Sequence, residues 1–593
     1  MMVLAGPGSG KTTVITQRIN NLIEEHNVNP SNILVVTFTK AAANEMQGRF
    51  NRLSGDKHLP VSFGTFHAVF FKILKYAYNY SASNIIRDET RYEYIREIVE
   101  KYELEYEDEK EFMSSILSEI SVVKGDMIDI NTYYSVNCPN DVFRKIFARY
   151  EDRLRRANKV DFDDMLVMCY ELLSKREDIL KAWQNKYKYI LVDEFQDINK
   201  VQYEVVKLLA RPRNNIFIVG DDDQSIYRFR GARPEIMLNF EKDFEGCKRV
   251  LLQVNYRSTK NIVDAAANVI KHNKARFDKD IVTEKEEGAK VDVALLKTHI
   301  DENKYIINLI RKYIEKGYKF SDIAVICRTN IGPRSLVQKL MEYNVPFRIK
   351  DSMPNIYEHW VTKNILSYIK IALGDRSRGE FMNIMNKPNR YISRTAIPDS
   401  EINFDELTKM YSDKEWMVDR ICKLEYDIGM IKRMSPYAAI NYICKSVGYD
   451  DYIKEYSEYR KINPQEFFNI IEELKESAKE IKTFTEWFSY IEEYTKELNR
   501  QFKEKDKSVD CIEVLTMHSS KGLEYEVVIL PDANDGITPH SKAVLDEDIE
   551  EERRLFYVAC TRAKEYLHIC SVSELYGKNS ETSMFVHELC GKE

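Results

Sequence analysis

Ala5-Gly6-Pro7-Gly8-Ser9-Gly10-Lys11-Thr12 is the stretch that decides the fold. It follows the apolar run Val3-Leu4-Ala5 and precedes a helical run, Thr13 to Glu25. Glycines let successive backbone N–H groups turn inward around an anion, and the helix start adds partial positive charge. Lys11 can reach the β- and γ-phosphates of a nucleotide, and the Thr12 hydroxyl can ligate Mg²⁺. The first position is Ala where Gly is commoner.

Working outward, short β-type runs alternate with helical ones in two stretches. Val3-Leu4-Ala5, Ile33 to Phe38, Ile190 to Val192 and Ile216 to Val219 read as buried parallel strands. Ile323 to Ile326, Cys511 to Met517, Tyr525 to Leu530 and Tyr566 to Cys570 repeat the style. Two α/β cores follow. Residues of about 86–159 and 373–503 are charged, tyrosine-rich and helical, each set inside an α/β core. The expected plan is therefore 1–85 with 160–250, insertion 86–159, then 251–372 with 504–593, insertion 373–503.

The bulk numbers fit that plan. A chain of 593 residues is too long for one core and suggests about three to five lobes. No apolar run approaches the roughly 18 residues that span a membrane, and no secretion leader is visible. The ten cysteines show no paired spacing, which argues against a zinc ribbon and points to a cytoplasmic location. A net charge of −7, from 88 basic and 95 acidic residues, is neutral on nucleic acid.

Tyr189 to Asp197, YILVDEFQD, is a strand ending in adjacent acids. An Asp such as Asp193 can hold Mg²⁺ through water, and Glu194 can polarise the attacking water. A second strand runs into Gly220-Asp221-Asp222-Asp223-Gln224-Ser225-Ile226-Tyr227-Arg228-Phe229-Arg230-Gly231. The Gln224 amide can sense a γ-phosphate. Tyr227 and Phe229, two apart, share one face if the segment is extended, which suits base stacking; core packing is the plainer reading of the two rings alone.

Together these segments resemble the superfamily 1A DNA helicases, the UvrD/Rep/PcrA group. The resemblance continues through Thr37 to Met46, Gly64-Thr65-Phe66-His67, Asp161-Phe162-Asp163-Asp164, Asn255-Tyr256-Arg257-Ser258, Thr516 to Glu524 and Glu551 to Ala563. It implies two RecA-like P-loop NTPase domains, each with a mainly helical insertion. It implies a 3′→5′ ATP-dependent DNA helicase that moves on single-stranded DNA and opens ss/dsDNA junctions in repair, replication or recombination.

By the same resemblance, Ala5, Gly6, Pro7, Gly8, Ser9, Gly10, Lys11, Thr12 and Thr13 hold ATP, with Mg²⁺ on Thr12 and Asp193. Tyr256 stacks on adenine, Glu524 touches the ribose, and Arg257 and Arg562 reach the γ-phosphate. Lys11, Asp193, Glu194, Gln224, Arg257 and Arg562 form the catalytic set. Phe38, Thr65, His67, Tyr227, Phe229 and His518 line the DNA track; Phe229 stands where the family often has Trp. For the histidines taken alone, a structural hydrogen bond is an equal reading.

The sequence also departs from the pattern. An upstream glutamine motif that reads adenine in relatives is not matched, nor are the usual Arg and Glu around Ile356 to Val361. With little chain after the last motif, the expectation is a minimal motor. Two other readings stay open: a translocase that strips proteins from single strands, and a DNA-binding module with an impaired nucleotide pocket.

Overall fold

The computed structural model describes residues 1–593 apart from 103, 105, 107, 108, 398–400, 461, 462, 504–508, 576, 592 and 593, and apart from the side chains of 502 and 503. The boundary expected between 503 and 504 falls at residues outside those described. Two compact units emerge: 1–294 with 520–570 and 582–593, and 295–519 with 571–581.

The first unit is built on six strands: β1 (Met2–Ala5), β2 (Ile33–Thr37), β3 (Ser62–Thr65), β4 (Tyr189–Val192), β5 (Ile216–Gly220) and β6 (Arg249–Leu252). Their order is β3-β2-β4-β5-β1-β6 and every pairing is parallel. The side-chain period of two explains why. Val3, Ala5, Ile33, Val35, Leu191, Phe217 and Val219 pack with Ile15, Ile19 and Leu22 of the helix Lys11–Glu24. Met2, Leu4, Leu34, Val36, Ile190, Val192, Ile216 and Ile218 pack on the opposite face, with Phe66, Phe70, Leu166 and Val205. A strand apolar on both faces needs helices on both sides, which is the parallel, doubly wound solution.

Because all six strands run the same way, six C-terminal ends reach one edge. That edge receives the loop after Ala5, Phe38, Phe66-His67, Asp193-Glu194, Asp221 to Gln224 and Gln253 to Arg257. Ligands bind at that edge in open α/β sheets, where the strand order reverses.

Within the same unit the helices Asp88–Val99, Glu109–Gly125 and Asn140–Arg156 enclose a core of their own, with Ile95, Ile116, Phe143 and Ile146. Their root is tied by Ile86 N to Val160 O at 3.0 Å. Strands Tyr525–Leu530 and Ala563–Leu575 pair in parallel from Tyr525 to Leu530, and the helix Asp546–Cys560 lies between them in sequence. In the second unit, strand Ile512–Thr516 pairs in parallel with both Ile323–Cys327 and Phe347–Ile349. Helices dominate between Trp360 and Lys503. No helix among the described residues is long and apolar enough to cross a membrane.

Candidate active site and nucleic-acid interface

The loop between β1 and its helix is a tight turn. Gly8 and Gly10 both have positive φ, and Ser9 Oγ donates to Gly6 O at 2.7 Å. Gly8 is required twice over. Its φ of +66° disfavours a side chain, and a Cβ there would lie 2.8 Å from Arg257 Cβ and 2.9 Å from Asn255 Oδ1. The Asn255 to Ser258 turn therefore lies directly on the phosphate loop, with Tyr256 N donating to Gly8 O at 3.1 Å. Buried Asn255 builds that turn, accepting from Arg257 N at 2.8 Å and Ser258 N at 2.9 Å. The turn throws the Tyr256 ring outward, 62% exposed, as a stacking surface.

Lys11, the first residue of its helix, points at the end of β4: its Nζ is 3.5 Å from Glu194 Oε1. Glu194 has φ 49°, left-handed backbone in a residue other than glycine. Such strain costs about 1–3 kcal/mol and persists only where neighbours hold it. They do here. Gln196 Nε2 donates to Glu194 Oε2 at 2.5 Å, and its Oε1 accepts from Asp221 N at 3.0 Å. Burial pushes the Glu194 carboxyl up, but the charges of Lys11 and Lys521 more than offset it, so the group is held ionised. Burial, with the Glu194 charge beside it, pushes Asp193 the other way.

Among the described residues, Asp193 Oδ1 is buried with no hydrogen-bond partner, and buried Lys11 Nζ has none beyond its ion pair with Glu194. Buried polar groups are normally partnered. A phosphate for Lys11 and a divalent cation for Asp193, with Thr12 second in the helix that Lys11 opens, satisfies both, so the residues fit Mg²⁺ with a nucleotide.

Arg562 is 2% exposed. Its guanidinium donates to Val558 O (2.9 Å), Leu523 O (3.2 Å) and Thr561 Oγ1 (3.2 Å), all neutral acceptors. Burial and the nearby Arg257 charge press it down to about 9, so an anion is the partner that this position favours. Arg257 is paired with Glu524 Oε2 at 2.8 Å and also donates to Thr561 O at 3.3 Å. The arginine expected at the γ-phosphate and the glutamate expected at the ribose thus hold each other in this structure. Both arginines belong to the same compact unit as the phosphate loop.

Gln224 gives one amide N–H to Asp221 Oδ2 at 2.6 Å. Lys521, which the sequence reading did not single out, binds Gln224 O at 2.7 Å, ion-pairs with Asp197 and stands 5.1 Å over the Tyr227 ring. Gln196, Asn255, Asp197 and Lys521 were all overlooked; each lies within a quoted motif, and only tertiary placement shows what they grip.

The DNA-facing candidates divide. Tyr227 and Phe229 would share one face in an extended segment; here Arg228–Arg230 forms a 3₁₀ turn instead, stopped by Gly231 at φ 83°. The rings still meet at 6.1 Å, with Arg230 5.4 Å from each, and Phe229 is 55% exposed. Phe38 leans edge-on against Phe66 at 5.8 Å. Thr65 Oγ1 caps the helix Phe66–Tyr78 through Ala68 N. His67 meets the exposed Phe162 ring edge-on at 5.6 Å, and burial lowers its pKa, which favours the uncharged ring. His518 lies in the second unit, just after the strand Ile512–Thr516.

A phosphate loop, an acid pair at the same sheet edge after β4 and a buried arginine define a P-loop nucleoside-triphosphate enzyme. Comparison with known proteins gives the family. Residues 1–245 match the UvrD/REP helicase N-terminal domain and 250–574 the UvrD-like helicase C-terminal domain. The chain is similar to a putative ATP-dependent DNA helicase YjcD of Bacillus subtilis, 31% identical over 100% of this chain and 79% of the relative. It is 30% identical to the ATP-dependent DNA helicase PcrA of Staphylococcus epidermidis over 99% of this chain and 84% of that protein. A probable DNA helicase II homolog of Rickettsia conorii is 33% identical over 96% and 90%. The chain belongs to the UvrD/Rep helicase family.

Proposed function

We propose that this ATP-dependent DNA helicase of the PcrA/UvrD type moves 3′→5′ along single-stranded DNA and opens duplex at ss/dsDNA junctions, work that repair, replication and recombination all require. The observation that carries the reading is Lys521. One ammonium group binds Asp197, Gln224 O and the face of Tyr227. Glu194 and Gln224 belong to hydrolysis; Tyr227 and Phe229 belong to the strand.

Thr12 and Asp193 would hold Mg²⁺, which would supply charge that neutralises phosphate oxygens. Lys11 binds the β- and γ-phosphates. Ionised Glu194, aimed by Gln196, accepts a proton from the attacking water. Arg562 and Arg257 stabilise charge on the transferring phosphoryl group. For Arg257 this entails leaving Glu524, which then turns to the ribose beside the stacked Tyr256. Loss of the γ-phosphate returns that pair. Tyr227, Phe229, Phe38, Thr65 and His67 give the strand a weak, sequence-tolerant grip, which stepping needs.

Steady-state ATP hydrolysis with and without single-stranded DNA tests this on wild type, Lys11→Ala and Glu194→Gln. Strong stimulation by DNA, lost in both variants while Glu194→Gln still binds ATP, is the expected result. Retained hydrolysis in Lys11→Ala would remove the proposed site. Protein displacement from single strands would use the same motor; a strand-displacement assay beside a protein-displacement assay separates the two activities.

A further inference from the structure

The segment 276–281 carries a cluster that the mechanism above does not use. Lys279, 0% exposed on its side chain, places Nζ 2.6 Å from Asp221 Oδ1, 2.6 Å from Asp222 Oδ1 and 2.9 Å from Asp223 Oδ2. Arg276 makes a two-pronged bond to Asp223, 2.8 Å on each prong. Phe277 N donates to Asp222 Oδ2 at 2.8 Å. Three buried carboxylates thus meet two cations from one short strap. Buried ion clusters stabilise weakly against apolar packing of the same volume, so stability alone is a poor reason for this one.

The connections at its two ends suggest a better one. Asp221 holds Lys279 with Oδ1 and receives the Gln224 amide with Oδ2 at 2.6 Å. Two residues beyond Lys279, Ile281 covers the phosphate loop: a Cβ on Gly6 would lie 2.6 Å from Ile281 Cδ1. The strap therefore touches the phosphate loop at one end and the support of Gln224 at the other. Gln224 in turn lies three residues before Tyr227.

We propose that Lys279 is a positioning residue for hydrolysis: through Asp221 it fixes the Gln224 amide so that its second N–H meets the γ-phosphate, and the strap ties that setting to the phosphate loop. The proposal rests on the reading of Gln224 as the γ-phosphate sensor.

The test uses the full chain and compares its affinity for ADP with that for a non-hydrolysable ATP analogue, by fluorescence titration. Lys279→Met alone would leave three carboxylates with one cation, so it is combined with Asp222→Asn, which keeps the cluster's net charge. Asp221→Asn is a second, milder variant that keeps Lys279 beside Asp222 and Asp223; its single carbonyl oxygen can accept from Lys279 or from the Gln224 amide but not from both, so the link between them is broken. In both, preference for the analogue over ADP is expected to fall on the order of tenfold, the worth of one charge-assisted hydrogen bond. ADP affinity is expected to stay within about twofold. Added to Gln224→Ala, either change is expected to have no further effect on that preference.

Equal losses for ADP and analogue, or losses that multiply with Gln224→Ala, would overturn the proposal and leave the cluster a structural tie. Gln224→Ala alone separates the two claims. If it leaves the preference intact, the sensor reading fails and takes the proposal with it. If it abolishes the preference while the Lys279 and Asp221 variants keep it, only the role of Lys279 fails.

Discussion

Gln196 donates its amide N–H to Glu194 at 2.5 Å and so holds a carboxylate whose own backbone is in the left-handed region. The amide stands between β4 and β5, because its carbonyl also accepts from Asp221 N. Gln196→Ala is expected to lower DNA-stimulated kcat by about 10- to 100-fold, in the range of misplaced general-base catalysis, with little change in KM for ATP. Equal changes in kcat/KM and KM with kcat intact would show that Gln196 serves binding instead.

Arg562 makes three directed bonds from a planar fork, and an ammonium cannot reproduce them. Arg562→Lys is therefore expected to bind ATP nearly as wild type and to hydrolyse it on the order of 10³-fold more slowly. Single-turnover kinetics separates binding from chemistry. Normal turnover would place the transition-state charge on Arg257 alone.

Phe229 offers an exposed ring next to Tyr227 and under Arg230. Phe229→Ala is expected to weaken single-stranded DNA binding by about 1–3 kcal/mol, and Phe229→Trp to strengthen it. Fluorescence anisotropy with a labelled oligonucleotide reads both. An unaffected Phe229→Ala would return the ring to a packing role.

How much of this was legible beforehand depended on burial. The strands around Val3, Ile33, Ile190 and Ile216 are apolar on both faces, so composition alone revealed them. Edge strands were not visible: Ser62–Thr65 contains Gly64 and is half-buried, and Arg249–Leu252 opens on exposed residues. Lys11, Asp193 and Glu194 could be read because their motifs encode a local backbone shape. Lys279 could not, since it sits among charged residues that read as a solvated stretch, and only the meeting with Asp221 to Asp223 buries it. The turn at Arg228–Arg230 was missed because Gly231 ends it from outside the aromatic pair.

Asp164 gives a pH prediction. Burial, then the Asp161 charge, lifts its carboxyl to about 7 against the opposing charge of Lys124, 2.7 Å away. An unfolded Asp titrates near about 4, so between about 4 and 7 the folded chain keeps a proton that the unfolded chain releases. That contribution to stability is lost as pH rises through 7. Asp161, held below its ordinary value, acts in the opposite sense at lower pH. Asp164→Asn has no such proton to lose, so its urea midpoint is expected to vary less between pH 5.5 and 8 than that of wild type. An identical pH slope in both proteins would refute the shift.

Burial lowers the His67 pKa, so a contact between this ring and the proposed strand is expected to release no counterion. His67→Ala is expected to weaken binding modestly while the slope of log affinity against log salt stays that of wild type, because that slope counts cations on phosphates. A slope shallower by about one unit would show a charged His67.

ATP is proposed to drive directed motion along the strand, and translocation kinetics measures that motion itself. Stopped-flow measurement would follow a fluorophore on either the 5′ or the 3′ end of single strands of increasing length. A lag that grows with length for the 5′ label, with no such lag for the 3′ label, is expected. The reverse pattern would contradict the 3′→5′ direction, and a signal independent of length at both ends would contradict movement itself.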